Sequence, residues 1–160
     1  MNNISVSIIM GSQSDWPVMQ NATIPLTELG VGFETNVVSA HRTPERLYEF
    51  ASKAHERGID VIIAGAGGSA HLAGMAAAMT HLPVVAVPVP SKHFNGMDSL
   101  MSMVQMPRGV AVACQAVGNS GAYNAGLIAA QMVALKDADL ATRLQEWRKN
   151  QTDSVPFEVE

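Results

Sequence analysis

The stretch FETNVVSAHRTP, residues 33–44, joins a predicted strand directly to the start of a predicted helix. Residues 33–38 have the composition of a strand, and Pro44 opens a helical pattern because proline is favoured in the first turn of a helix. His41 and Arg42 therefore lie at a strand-to-helix junction. In open parallel sheets, ligands bind outside the carboxyl ends of the strands. The stretch predicts an α/β protein with a functional site at that edge.

The alternation of strand and helix patterns continues along the whole chain. Predicted strands cover residues 4–10, 33–38, 60–64, 83–89 and 110–117. These runs are apolar on both faces, which is typical of parallel strands covered by helices on two sides. The pattern predicts a single three-layer, doubly wound α/β domain over residues 1–160, with the flavodoxin-like strand order 2-1-3-4-5.

Helical patterns fill the intervals between these strands. They cover residues 15–29, 44–57, 72–80, 95–104 and 120–135, and an extra C-terminal helix covers about 137–153 before a loose tail at 154–160. Leu140, Leu144 and Trp147 give the last helix one apolar stripe, which we expect to pack on the domain. Pro25 lies inside the first helix and removes one of its hydrogen bonds, so we expect a bend within residues 21–25.

The composition excludes several classes of partner. The 160-residue chain has a formal net charge of -4, so it offers no basic surface for nucleic acid or an anionic membrane. No apolar run is long enough to cross a bilayer, and the run at residues 6–10 is too short for a signal peptide. Cys114 is the only cysteine, so no disulfide can form within the chain and a reducing, cytoplasmic location is expected.

Polar side chains follow the first predicted strand in the segment GSQSDWP, residues 11–17. Ser12, Ser14 and Asp15 precede a helix whose first N–H groups have no partner within the helix, which suits a phosphate and sugar site. The alternative is that Ser14 or Asp15 caps this helix. The two interpretations can coexist.

The segment AGAGGSAH, residues 64–71, follows the third predicted strand. Its glycines allow backbone N–H groups to approach a ligand closely. The segment lacks the Lys-Ser/Thr ending of a P-loop, and the next strand lacks the acidic residue that would hold a nicotinamide ribose. Together with the absence of metal-ligand spacing among His55, His81, His93 and Cys114, this favours catalysis without cofactor or metal.

His41 and Arg42 each have a functional and a structural interpretation. An imidazole titrates near pH ~6.5 and can take up and return a proton at neutral pH, although His41 could instead be a core or capping residue. Arg42 could offer a planar pair of donors to a phosphate, or it could be a solvated or ion-paired side chain.

Two predicted helices consist largely of small residues, at 72–78 and 121–126. With so little polar surface they are expected to be buried on all sides. A domain of this size rarely buries so many helices alone, so the pattern predicts a homo-oligomer.

Four ordered segments, at residues 10–16, 39–44, 64–72 and 105–109, together resemble the bacterial N5-carboxyaminoimidazole ribonucleotide mutases of purine biosynthesis. The likeness continues through Asn124 to residues 147–153. The resemblance implies flavodoxin-type subunits assembled as octamers. It also implies a reaction that moves a carboxylate from the exocyclic nitrogen of the imidazole to a ring carbon without metal, ATP or biotin.

The resemblance implies a role for each matching residue. His41 would be the general acid/base that handles the ring proton; Ser12, Asp15, Ser39 and Arg42 would hold the ribose 5-phosphate. The loop at 66–69 would enclose the imidazole and the migrating carboxylate, with His71 beside it. The matching substrate-binding positions are Ser12, Ser14, Asp15, Ser39, Arg42, Ala66, Gly67, Gly68, Ser69, His71 and Leu72. Departures from the family pattern at Ala73, Asn119 and Tyr123 concern subunit contacts and pocket edges.

Three alternatives differ from the mutase. A related branch carboxylates aminoimidazole ribonucleotide directly with CO₂, and it typically has Lys after the histidine and lacks the Gly-Gly pair; Arg42 and Gly67-Gly68 favour the mutase. A non-catalytic module that binds a phosphate sugar would need Ser12, Asp15 and Arg42 but not His41. A flavin or nicotinamide oxidoreductase could use the same fold.

Overall fold

The computed structural model describes residues 4–159, which form one parallel sheet covered by helices. The strands are β1 Ile4–Met10, β2 Gly32–Val37, β3 Val61–Gly67, β4 Val84–Val89 and β5 Ala113–Cys114. Their order is β2-β1-β3-β4-β5 and every pairing is parallel. The predicted class and strand order are confirmed.

Seven α-helices connect and cover the strands of the described chain. They are α1 Trp16–Met19, α2 Thr23–Glu28, α3 Pro44–Lys53, α4 Leu72–Ala77, α5 Met97–Val104, α6 Asn119–Ala134 and α7 Ala138–Asp153. The predicted C-terminal helix is therefore confirmed. Within residues 4–159, none of the helices has both the length and the apolar character needed to span a membrane.

Alternate residues of the central strands enter two separate cores, one on each face of the sheet. Ile8 and Ile63 pack with α1, α2, α6 and α7 on one face. Ile9 and Ile62 pack with α3, α4 and α5 on the other face. Successive side chains of a strand point to opposite faces, so burial on both faces requires an unbroken apolar run. This requirement accounts for the strand patterns of β1, β3 and β4.

The two edge strands differ from the prediction. In β2, Thr35 and Asn36 are exposed, so the expectation of two apolar faces is wrong for this edge strand. β5 has two residues where residues 110–117 were predicted. Beyond β5 the chain follows β4 through bonds from Gln115 N to Ala86 O (2.9 Å) and from Gly118 N to Pro88 O (2.9 Å). Pro88 has no N–H to return a bond on this side, and regular pairing ends there.

The predicted first helix is divided at the expected bend. A 3₁₀ turn, Gln20–Ala22, separates α1 from α2, which contains the buried Pro25 near its start. Helix α6 packs directly on this bend: a Cβ added at Gly126 would lie 2.2 Å from the Ala22 carbonyl oxygen and 2.8 Å from Pro25 Cγ. Glycine at 126 permits this close contact.

The helices of small residues are only partly buried in the single chain. Helix α6 buries one face, which includes Ala122, Ala125 and Ala129, and exposes Asn124 and Gln131. Burial on all sides is therefore not achieved within one chain. The predicted tail after α7 is exposed from residue 154 to 159.

Candidate functional site

A cleft of about 460 Å³ lies at the carboxyl ends of β1, β2 and β3. All the predicted site residues line it: Ser12, Ser14, Asp15, Ser39, His41, Arg42, Ala66, Gly67, Gly68, Ser69, His71 and Leu72. The chain passes from β1 to one neighbour, β2, and then to the other neighbour, β3, so the strand order switches here. Ligands of doubly wound proteins bind at such a switch point.

The first junction, residues 11–15, is closed by a reciprocal capping box. The Asp15 carboxylate accepts from Ser12 N–H at 3.0 Å, and Ser12 Oγ accepts from Ser14 N–H at 3.3 Å. Ser12 thus caps the 3₁₀ turn Gln13–Asp15. Asp15 is the N-cap residue of α1 by position but makes no side-chain capping bond to it, so the expectation that the side chain of Ser14 or Asp15 caps this helix is wrong. Ser14 Oγ also donates to Ser12 Oγ at 2.9 Å, which brings both hydroxyls together at the cleft.

The Asp15 side chain is buried within this junction. Burial raises the pKa of its carboxyl group, and it outweighs the opposing effects of the Ser12 and Gly11 backbone N–H groups and of the Arg42 charge. The side chain therefore presents a desolvated carboxyl group beside a cation. Such a group accepts hydrogen bonds from hydroxyls strongly, because water competes for it poorly.

The second junction, residues 39–44, is braced against the first by Arg42. Its Nε donates to Ser39 Oγ at 3.1 Å, and its Nη2 donates to the Gly11 carbonyl at 2.9 Å. Thr43 holds the turn, since its Oγ1 donates to Ser39 O at 2.8 Å and accepts from Ser39 N at 3.0 Å. A guanidinium has five N–H donors. The remaining donors of this exposed side chain can serve an anion in the cleft.

His41 and His71 form a hydrogen-bonded pair across the cleft. His41 Nε2 lies 2.8 Å from His71 Nδ1, and the rings pack edge to face with centroids 5.0 Å apart. One of these nitrogens must carry the shared hydrogen while the other accepts it. The tautomer of each ring is therefore set by the other, and both rings are exposed to the cleft.

The third junction, residues 66–72, contains the predicted glycine loop, but its glycines have different tasks. β3 runs on to Gly67, and Gly65 is a packing residue, because a Cβ there would lie 2.1 Å from Met19 Sδ. Gly68 has φ +71°, a left-handed conformation that favours glycine. Its N–H donates to Ser99 Oγ at 2.9 Å. The Gly68 N–H is therefore held by Ser99 in this structure, and the expectation that backbone N–H groups of this loop approach a ligand stays a prediction.

Sequence reasoning missed Gly11, Ala40 and Ser91, which also line the cleft. Ser91 follows β4 at the same edge of the sheet, so its position after a predicted strand was the available signal. Over residues 4–159, no group of three or more His, Cys, Asp and Glu side chains is arranged to hold a metal ion.

A larger cavity of about 590 Å³ lies at the opposite edge of the sheet, beside the start of α7. Lys136 pairs with Asp60 at 2.5 Å, Arg143 Nε donates to Leu29 O at 2.9 Å, and Asp137 caps α7. None of the predicted site residues lines this cavity.

The chain matches known proteins over almost its whole length. The family model described as AIR carboxylase matches residues 5–154. The N5-carboxyaminoimidazole ribonucleotide mutase of Brucella melitensis is 59% identical over 153 residues, covering 96% of this chain and 94% of the relative. The protein of the same name from Bacillus subtilis is 59% identical over 150 residues, covering 94% and 93%.

Solved structures show the same architecture. The crystal structure of Treponema denticola PurE superimposes with a TM-score of 0.82 at 27% identity, covering 92% of this chain and 91% of that chain. The residues that match the family model, 5–154, include the strands of the sheet from Ser5 to Cys114. On the family match and these relatives, the chain belongs to the AIR carboxylase (PurE) family.

Proposed function

We propose that this protein is an N5-carboxyaminoimidazole ribonucleotide mutase, an isomerase of de novo purine biosynthesis, with His41 as its general acid/base. The proposal is supported by relatives of that name at 53% to 59% identity. The observation that carries it is the convergence in one cleft of His41 with groups suited to a phosphate and a sugar.

The first two junctions would bind the ribose 5-phosphate part of the substrate. Arg42 is braced by neutral partners, Ser39 Oγ and Gly11 O, so its positive charge can be used by a phosphate. The Ser12 hydroxyl, which accepts from Ser14 Oγ, keeps its own hydrogen as a further donor, and Asp15 offers an acceptor for sugar hydroxyls. A chain with a net charge of -4 must hold an anion by such local groups.

The third junction would enclose the imidazole and its carboxylate. In the reaction, the bond between the carboxylate and the exocyclic nitrogen breaks and a bond from the carboxylate carbon to the ring carbon forms. One proton leaves that ring carbon and one is delivered to the nitrogen. Substrate and product are isomers, so one group that takes up and returns one proton balances the reaction. Ala66, Gly67, Ser69 and Leu72 would exclude water from the migrating carboxylate.

His41 is the group best placed for this proton transfer. It is exposed to the cleft and lies next to Arg42 in the chain, so it stands beside the proposed phosphate site. His71, at 2.8 Å, would determine which ring nitrogen of His41 carries the proton.

The direct carboxylase is the second candidate, since the matching family model is described as AIR carboxylase. Arg42 and the Gly67-Gly68 pair favour the mutase. We expect efficient turnover of N5-carboxyaminoimidazole ribonucleotide and poor use of aminoimidazole ribonucleotide with bicarbonate. Comparing kcat/KM for the two substrates at one pH tests this. A clear preference for the unsubstituted nucleotide would identify the protein as a direct carboxylase, and turnover of neither would contradict both assignments.

We further propose that the protein is a homo-oligomer, and an octamer by its resemblance to the family. The supporting observation is an apolar stripe on α5, where Met97, Met101 and Val104 are exposed together with the neighbouring Phe94. A second copy of the chain would cover it. Light scattering at micromolar concentration should give a multiple of the chain mass of 16.9 kDa, and a stable monomer would contradict the proposal.

A cytoplasmic location is proposed on the cysteine content. Cys114 is the only cysteine and is half-buried, and burial raises the pKa of its thiol. With a single cysteine, no disulfide can form within the chain, which suits a reducing compartment.

A further inference from the structure

A completely buried hydroxyl lies behind the glycine loop of the cleft. Ser99, on α5, is 0% exposed. Its Oγ accepts from Gly68 N–H at 2.9 Å and donates to the Val89 carbonyl at 2.7 Å. A serine hydroxyl has one hydrogen, so the bond to Val89 fixes the lone pairs toward Gly68. Ser99 thereby joins the third junction to the end of β4.

The first turns of α5 connect this hydroxyl to a second segment of the cleft. Asp98 Oδ1 accepts from Ser99 N–H at 3.0 Å and from Ser91 Oγ at 2.6 Å. Ser91 lines the cleft. Ser102 Oγ donates to Asp98 O at 2.7 Å and lies 3.3 Å from Gly68 O. Because the single hydrogen of Ser102 is donated to Asp98 O, helix α5 holds Gly68 through the bond from its N–H group to Ser99.

Gly68 needs such a restraint more than other residues of the loop. Its φ of +71° is accessible to glycine without strain, but a glycine can also adopt many other conformations. Apart from its two chain neighbours, the described part of the chain places no heavy atom within 4 Å of where its Cβ would be, so packing does not restrain it there. The bond to Ser99 is thus the contact that selects one orientation of the Gly68 peptide.

We propose that Ser99 is a positioning residue for the reaction: it orients the Gly67-Gly68-Ser69 loop around the carboxylated imidazole. Ser99 does not itself line the cleft, so it acts through Gly68. The identity of the ligand rests on the proposed function, whereas the restraint on the loop does not.

The test compares Ser99→Ala and Ser99→Cys with Ser7→Ala. Ser99→Cys keeps a side chain of similar size in the buried site but replaces the hydroxyl with a weak acceptor. Ser7 is a matched control, because it is also 0% exposed and its Oγ makes one hydrogen bond, to Glu34 at 2.9 Å, in the middle of the sheet. Calorimetry measures binding of the product nucleotide, 4-carboxy-5-aminoimidazole ribonucleotide, and of ribose 5-phosphate.

We expect both Ser99 variants to bind the carboxylated nucleotide about five- to tenfold more weakly, which corresponds to one lost hydrogen bond. Affinity for ribose 5-phosphate, held by the first two junctions, should be unchanged. Ser7→Ala should alter neither affinity. An equal loss for both ligands, or no loss for either, would overturn the positioning role.

Hydrogen exchange over residues 65–71 separates this proposal from the proposed function. In the wild-type protein the Gly68 amide should be protected, and exchange of this segment should become faster in the Ser99 variants but not in Ser7→Ala. Rapid exchange of the wild-type Gly68 amide overturns the proposal even if neither Ser99 variant folds. If the wild-type protein turns over neither nucleotide, the proposed function fails while the exchange result still decides the role of Ser99.

Discussion

The two ends of α3 carry the same types of residue in different surroundings. His41 and Arg42 precede its first residue, and His55 and Arg57 follow its last. The histidines of both ends pack edge to face on a second histidine, at 5.0 Å between His41 and His71 and at 4.9 Å between His55 and His81. Residue type and ring packing therefore do not distinguish the two ends.

The partners of the two arginines do distinguish them. Arg57 pairs with the Glu34 carboxylate at 3.0 Å and 3.2 Å and lies over the Phe50 ring, so its charge is compensated. Arg42 donates to a hydroxyl and a carbonyl, and it forms no salt bridge with a carboxylate of residues 4–159. The helix runs back along the strands, so its amino end alone reaches the carboxyl edge of the sheet. An anion-binding site thus requires an arginine at the carboxyl edge of the sheet whose charge is not already paired with a carboxylate.

The largest expected effect comes from His41→Asn, set against His55→Asn at the other end of α3. Asparagine keeps polarity but cannot transfer a proton, so turnover of the N-carboxylated nucleotide should fall by ~10²–10⁴-fold. His55→Asn should retain full turnover. Steady-state assays measure both, and calorimetry should show that His41→Asn still binds the nucleotide. Substantial residual turnover would return His41 to a structural role, and loss of turnover with intact binding would exclude a module that only binds.

A smaller effect is expected from Arg42→Lys, compared with Arg57→Lys. An ammonium cannot brace Ser39 and Gly11 and also offer a planar pair of donors to a phosphate. Affinity for the product nucleotide should fall by about tenfold, the equivalent of one hydrogen bond to a charged group. The melting temperature should change little. Calorimetry that gives equal affinities for Arg42→Lys and Arg57→Lys would show that the two ends of α3 do not differ in this way.

The smallest effect concerns Asp15, which lies beside Arg42, and its contribution to the pH dependence of the free energy of unfolding. Burial raises the pKa of this carboxyl above its ordinary value of 3.8, so the folded state binds its proton more readily than the unfolded state. Wild-type stability should therefore fall, relative to Asp15→Asn, as pH rises from 3.8 through the raised pKa. Above the raised pKa, the difference in the free energy of unfolding between the two proteins should no longer change with pH. Urea unfolding at a series of pH values measures it, and a difference of opposite slope would contradict the direction of the shift.

Much of the fold and the site was accessible from the sequence because it depends on local patterns. Apolar runs long enough to be buried on both faces located β1, β3 and β4, and Pro25 located the bend. The cleft was predictable because the carboxyl ends of parallel strands must meet at one edge, whatever the helices do. Each polar junction that followed a strand could therefore be assigned to the same place.

The remaining features depend on contacts between distant segments. The end of β5 follows from a missing donor on its neighbour, Pro88, rather than from residues 110–117 themselves. The restraint of Gly68 by Ser99 joins residues far apart in the chain, and no local pattern marks a buried helix serine as a partner of a glycine loop. Ser12 caps the 3₁₀ turn Gln13–Asp15 because of the conformation that residues 12–15 adopt, which the sequence pattern alone does not determine.

The close contact between α6 and the bend constrains how this sequence can diverge. A side chain at position 126 would collide with the backbone carbonyl of Ala22, and no replacement of a side chain elsewhere removes that carbonyl. We therefore expect glycine to be retained at position 126 among family members, even though this residue does not touch the cleft.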